Sequence, residues 1–220
     1  MCNLYSATMA RQAMLRLFRV SDNRAASIEP KPAIFPGGTA PVVRMANDGE
    51  RELVALSWGF VLLQKGLAPK RVTNVRDDKL GNPFWRGSFE ERRCLVPVSS
   101  FAEPKGRNPA TWHWFALNEA REPFAFAGIW RRYNGPLKKD GEPVELDVHA
   151  FLTTTPNELV ATVHPQRMPV MLVGEEAQEQ WMAGTTEDAR GLIRAYPAAG
   201  MRIVQSGTDK QNLQVTEARS

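Results

Sequence analysis

Apolar positions along this chain fall mostly in short alternating bursts rather than in helical stripes. Seven stretches rich in β-branched and aromatic residues are bounded by turn residues, which is the pattern of strands. They are "LVALSWGF" (53–60), "RRCLVPVSSF" (92–101), "TWHWFAL" (111–117), "PFAFAGIW" (123–130), "LDVHAFLTTT" (146–155), "PVMLV" (169–173) and "MRIVQ" (201–205). Helical spacing is confined to three segments. In 7–20 Met14, Leu17 and Phe18 share a face, with Arg11, Arg16 and Arg19 elsewhere. The other two, 175–183 and 186–196, start after Gly174 and Thr185. The Pro/Gly-rich stretch "EPKPAIFPGGTAP" (29–41) reads as loop. Many strands, few helices and no β-α-β alternation predict an α+β fold. The expected form is a single domain, residues 2–220, with a curved, mainly antiparallel, barrel-like β core and a few peripheral helices.

Composition narrows the class only a little. With 220 residues, 43% hydrophobic and 24% charged, the chain can bury a core of its own. No apolar run approaches the roughly 20 residues that cross a bilayer, and the first residues lack the order of a secretory signal. A cytoplasmic protein without a membrane partner is expected. The net charge of +4 permits an anionic partner without requiring one. Two cysteines and three histidines show no zinc spacing, so neither a metal nor a cofactor is expected.

The candidate chemistry begins at "MCNLYS". Removal of Met1 would leave Cys2 with a free α-amine beside its thiol. An α-amine titrates near 7.7–8.0, so about a tenth is neutral at pH 7, against a few hundredths of a percent of a lysine. Such an amine condenses with aldehydes, and the adjacent thiol can then close a five-membered thiazolidine. An internal cysteine cannot do this. Cys94, inside an apolar strand, reads as a buried structural thiol. Glu103 lies just past a strand, where a carboxyl can act as general acid or base. His164, followed by Pro165 and Pro169, belongs to a rigid turn, whereas His113 and His149 alternate with apolar neighbours and read as packing residues. Asn74 and Arg76 offer an amide and a fork for sugar and phosphate oxygens. Trp58 could stack on a base.

Taken in order, these segments resemble the SOS response-associated peptidase (SRAP) family, whose members process abasic sites in single-stranded DNA. The resemblance is carried by "MCNLYS", "FPGGTAPVV", "SWGF", "NVR" (74–76), "RRCLVPVSSFAEPK", "FAFAGIW", "FLTTTPN" and "VHPQRMPVML". It implies a single α+β domain and a covalent, reversible link between Cys2 and the ring-opened abasic deoxyribose. By the same resemblance Asn74 orients the sugar, Glu103 is the general acid/base, and His164 assists ring opening and reversal. Arg76 and Arg167 bind flanking phosphates, and Pro36, Trp58 and Arg71 also contact DNA. Lys79, Arg86 and Arg131 are further backbone candidates. The implied partner is single-stranded DNA carrying abasic sites, bound by a monomer that is nucleoid-associated when on DNA. The implied chemistry is of the Schiff-base lyase type, with self-processing at the N-terminus.

The sequence departs from the family pattern at several points. Leu4 stands where members often have arginine, and "GFVLLQKGLAPKRVT" lacks a tryptophan-rich turn. "AEP" replaces Tyr-Glu-Trp, and the spacing from His164 to Arg167 is one residue longer. Two other classes remain open on the residues alone. One is an N-terminal-nucleophile cysteine hydrolase acting without DNA; the other is a non-catalytic single-strand binding module.

Overall fold

The computed structural model describes residues 2–212. Met1 and the last eight positions of the expected 2–220 domain lie outside the described residues. Among the described residues fifteen strands are formed. They are β1 (Tyr5–Ala7), β2 (Lys31–Ile34), β3 (Thr39–Met45), β4 (Arg51–Trp58), β5 (Phe60–Leu62), β6 (Lys70–Val72), β7 (Asn74–Arg76) and β8 (Arg93–Val98). Then come β9 (Ser100–Lys105), β10 (Thr111–Ala116), β11 (Phe124–Pro136), β12 (Pro143–Thr154), β13 (Met168–Pro169), β14 (Met171–Leu172) and β15 (Arg202–Gly207). Five helices accompany them: α1 (Arg11–Phe18), α2 (Pro83–Glu91), α3 (Glu158–Ala161), α4 (Glu175–Ala183) and α5 (Thr186–Gly191). None is long and apolar enough to cross a membrane.

Five strands close into a barrel in the order β12-β4-β3-β8-β11, because β11 pairs back onto β12. Most pairings are antiparallel; β12 runs parallel to β4 and to β7. A second sheet has the order β15-β10-β9-β1-β2. The α+β, barrel-like expectation therefore holds. Barrel closure follows from the long alternating strands. "FAFAGIW" in β11 is buried on both faces as far as Ile129, because Ala125, Ala127 and Ile129 enter one apolar cluster and Phe124 and Phe126 another. Between the two sheets lies a cluster that includes Tyr5, Trp58, Phe101, Phe126 and Phe151, with Cys2 at its edge.

Several expected elements are corrected. The first helix covers Arg11–Phe18 rather than 7–20, since Tyr5–Ala7 is taken up as a strand between β2 and β9. The 29–41 stretch is two strand segments around a tight Phe35–Gly38 turn. Pro32 and Pro41 are tolerated because the ladder does not need their nitrogens. The turn's Gly37 has φ +84°, a conformation that favours glycine. The strand expected at 169–173 is two short pieces, and the last helix stops at Gly191 rather than at 196. Helix α2 was not expected. Its signal is present in Asn82, whose side chain accepts the Phe84 N–H, followed by Pro83 at the first helical position.

Candidate functional site

The first residues of the chain are interior residues. Tyr5 pairs with Ile34 on one side and Phe101 on the other, and Ala102 N–H donates to Leu4 O at 2.9 Å. Leu4 and Tyr5 are fully buried, and Cys2 is 1% exposed. The Cys2 thiol donates to Leu4 O at 3.5 Å. Burial, reinforced by the negative charge of nearby Glu103, pushes this thiol well above its ordinary pKa. It is therefore a protonated thiol and not a thiolate.

Asn74 ties that terminus down from the barrel side. Its strand β7 is held in parallel register on β12, with Asn74 beside Phe151. The Asn74 amide donates to Cys2 O at 2.9 Å and to Thr73 Oγ1 at 2.7 Å, and the Thr73 hydroxyl donates to Asn3 Oδ1 at 3.3 Å. Thr73, which sequence reasoning did not single out, supports the Asn74 amide; its only signal is that it stands next to Asn74. The Asn74 oxygen is buried and has no hydrogen-bond partner.

Glu103 enters from β9 and is 1% exposed. Its Oε1 is also buried and without a hydrogen-bond partner. Burial raises its pKa to about 7. The carboxyl is thus close to half-protonated near neutrality, the condition that suits a general acid/base. His164 follows α3 and is half-buried, with Nδ1 against the Arg167 backbone, 3.0 Å from its oxygen and 3.3 Å from its nitrogen. Burial lowers its pKa, so it is neutral at pH 7. Glu103 acts electrostatically on the Cys2 thiol, so the carboxyl and the thiol share one neighbourhood.

The DNA-contact expectations fare differently. Trp58 does not offer a face to a base: it is fully buried, stacked on Phe151 at 5.3 Å, and its indole N–H donates to Thr73 O at 3.1 Å. Its place after an apolar strand put it in the core, where it holds the segment that carries Asn74. Pro36 is exposed in its turn. Arg76 is exposed and forks onto Asp78, with both contacts at 2.8 Å. Arg167 bonds Asp77 at 2.8 Å and Asp78 at 3.0 Å. Both arginines line one surface depression with Thr155 and Gln166, and both are neutralised there. Arg71 has no such partner; it donates to Ser57 Oγ at 3.1 Å and Gly59 O at 3.3 Å.

The three histidines also divide. His149 is fully buried as expected, within 3.4 Å of the Tyr5 hydroxyl, and burial lowers its pKa to about 3. His113 is not a core residue: it is partly exposed and 2.9 Å from Ser206 Oγ. Cys94 is buried, and burial raises its pKa. Among the described residues, no group of three or more His, Cys, Asp or Glu side chains is placed to hold a metal.

Cys2 thus lies between an amide from β7, which is paired to barrel strand β12, and a carboxyl from the second sheet, in a fold that known proteins share. The model of the SOS response associated peptidase (SRAP) family matches residues 1–210, so the chain belongs to the SRAP family. Abasic site processing protein YoqW of Bacillus subtilis (strain 168) is 30% identical over 172 residues, covering 74% of each chain. Abasic site processing protein YobE of the same organism is 28% identical over 175 residues, covering 74% of this chain and 75% of the relative. A crystal structure of a Bordetella bronchiseptica protein superposes with a TM-score of 0.73 at 22% identity, covering 94% of this chain and 99% of that one. One from Bacteroides thetaiotaomicron gives 0.70 at 21% identity, with 91% and 90% covered. These two structures share the fold.

Proposed function

We propose that this protein processes abasic sites in single-stranded DNA by joining Cys2 covalently to the opened deoxyribose. The observation that carries the reading is the pair of buried, partnerless oxygens, Asn74 Oδ1 and Glu103 Oε1, on groups that converge on Cys2. Buried acceptors without partners are costly, and the hydroxyls of a ring-opened sugar are donors. The names of the curated relatives point the same way.

The chemistry follows from the protonation states. After Met1 is removed, the Cys2 amine adds to the C1′ aldehyde, and a carbinolamine forms. Glu103 gives a proton to the departing hydroxyl, water leaves, and an iminium remains. The Cys2 sulfur adds to the iminium carbon as its proton passes to Glu103, closing the thiazolidine. Aldehyde plus aminothiol thus gives adduct plus one water, and Glu103 ends as it began. Neutral His164 accepts and returns protons at the sugar during ring opening and during reversal. Asn74 holds the Cys2 carbonyl, which keeps the nitrogen aimed at the sugar. Closure by sulfur removes the iminium from which β-elimination would break the strand. The rival, a cysteine hydrolase, needs a thiolate, and a buried thiol beside a carboxyl is poorly suited to become one. A cytoplasmic, monomeric protein that needs no cofactor fits this chemistry.

The test is intact mass spectrometry after incubation with an abasic single-stranded oligonucleotide. The expected product is a one-to-one species lighter than the sum by one water and stable to denaturation. Cys2→Ser should leave at most a labile imine that borohydride traps. Peptide turnover without any DNA adduct, or an adduct formed by protein that keeps Met1, would overturn the reading.

A further inference from the structure

Most half-buried arginines in this protein are matched by carboxylates. Arg11 meets Asp22, Arg44 meets Glu52 and Asp147, Arg51 meets Glu179, and Arg167 meets Asp77 and Asp78. Arg71, Arg93, Arg121 and Arg131 have no carboxylate ion-pair partner among the described residues, and burial lowers the pKa of each. Arg93 is met instead by the carbonyls of Phe89, Glu90, Trp181 and Gly184, and Arg121 lies by Gln205. Arg71 and Arg131 differ from both. Desolvating a cation without an anion is unfavourable, so two such groups together mark a place where an anion is expected.

They are together. Arg131 donates to Val61 O at 3.0 Å, and Val61 is the residue directly opposite Arg71 in the β5–β6 pair. The Arg71 guanidinium reaches Gly59 O, just before β5 and two residues back from Val61, a spacing of about 7 Å. Both arginines act electrostatically on Tyr133, which stands two residues beyond Arg131 on β11. Arg131 is held flat over Phe60 and Phe84, at 4.6 and 4.4 Å from their ring centroids, so its fork is pre-positioned. Arg71 is braced by the Phe35–Gly38 turn, where a Cβ on Gly37 would lie 3.3 Å from its Nε. The surrounding sequence is one-signed: residues 53–76 contain Lys65, Lys70, Arg71 and Arg76 and no acid. Asn74 is three residues from Arg71, about 10 Å along an extended chain.

We infer that Arg71 and Arg131 form a seat for backbone phosphates of the single strand that carries the lesion. This inference rests on the abasic-site reading and refines it. The seat lies on the β5–β6 side of Asn74, apart from the Arg76–Arg167 depression, where Asp77 and Asp78 pair with the cations. It reads charge and spacing, not sequence, because its donors face a phosphate and no base edge is engaged.

The experiment measures binding of an undamaged oligothymidylate by fluorescence anisotropy across a salt series. It uses the wild type, Arg71→Gln, Arg131→Gln, the double variant, and Arg132→Gln as a control already paired with Glu145. Each Gln variant at the seat should lower the slope of log affinity against log salt by about 0.7, the double by about 1.4, and the control by nothing. Arg131→Lys, which keeps charge and stem but not the fork, should keep the slope while weakening binding. That result separates a phosphate contact from a packing role. A double variant that is folded by thermal melt and has the wild-type slope overturns the seat. So does stabilisation of the wild type by inorganic phosphate with no binding of the oligonucleotide. If the wild type crosslinks abasic DNA while the slopes are unmoved, only the seat fails. If the slopes fall but no adduct forms, the seat stands and the abasic-site reading fails.

Discussion

Replacing Glu103 with glutamine isolates the energy stored in this one carboxyl. Its folded pKa of about 7, set by burial, compares with 4.5 for the free group. The unfolded chain therefore ionises Glu103 between pH 4.5 and 7 while the folded protein resists. In that window the folded state holds more protons, so stability falls as pH rises. At 1.36 kcal/mol per pH unit, a gap of about 2.5 units amounts to about 3 kcal/mol of destabilisation, fully present above pH 7 and absent below pH 4.5. Glu103→Gln keeps the shape and removes the titration. Urea unfolding at pH 4.5 and pH 8 should show the difference between variant and wild type shifting in the variant's favour by about 3 kcal/mol on going to pH 8. Any constant offset from the new amide cancels in that comparison. A difference that does not change with pH, or changes the other way, would refute the claim that Glu103 is kept near-neutral by burial. The general acid/base role would fall with it.

Further outcomes follow from named contacts. His149, with its pKa held near 3, opposes Glu103: its contribution is intact above pH 6.5 and is lost as pH falls toward 3, by about 5 kcal/mol in all. His149→Phe should therefore flatten acid unfolding below pH 6, monitored by tryptophan fluorescence. Gly128→Ala should cost about 3 kcal/mol in denaturant titration, because its Cβ would fall 2.8 Å from Cys94 Sγ and 3.0 Å from the Cys94 backbone oxygen. Asn74→Ala should cost about 1–3 kcal/mol of stability by freeing the buried Cys2 carbonyl. It should also slow adduct formation in a single-turnover assay; an unchanged rate would remove Asn74 from the site.

The barrel was legible because its strands carry their own signal: "FAFAGIW" and "LDVHAFLTTT" alternate or run apolar whatever they pair with. Strands β1, β2, β6 and β7 were not legible, since three or four residues carry no period, and Lys31–Ile34 contains a proline. Those elements exist because longer neighbours supply a ladder to join. The candidate site divides along the same line. Cys2, Asn74 and Glu103 could be named from residue type and context, yet their meeting depends on β7 and β1, the pieces no local pattern marks. Trp58 was misread because a strand-end tryptophan can face either way, and only Phe151 and Thr73 decide. The neutralisation of Arg76 and Arg167 was hidden for a similar reason. Asp77 and Asp78 are adjacent in sequence to one arginine and about ninety positions from the other.

Strand β1 lies between β2 and β9, and its partner Phe101 is far along the chain from Tyr5. During synthesis β1 must therefore wait unzipped on that side until about ninety further residues have emerged, the separation of Tyr5 from Phe101. A chain that ends before β9 thus lacks the ladder that seats Cys2 beside Glu103, and any chemistry that needs the pair is withheld from it.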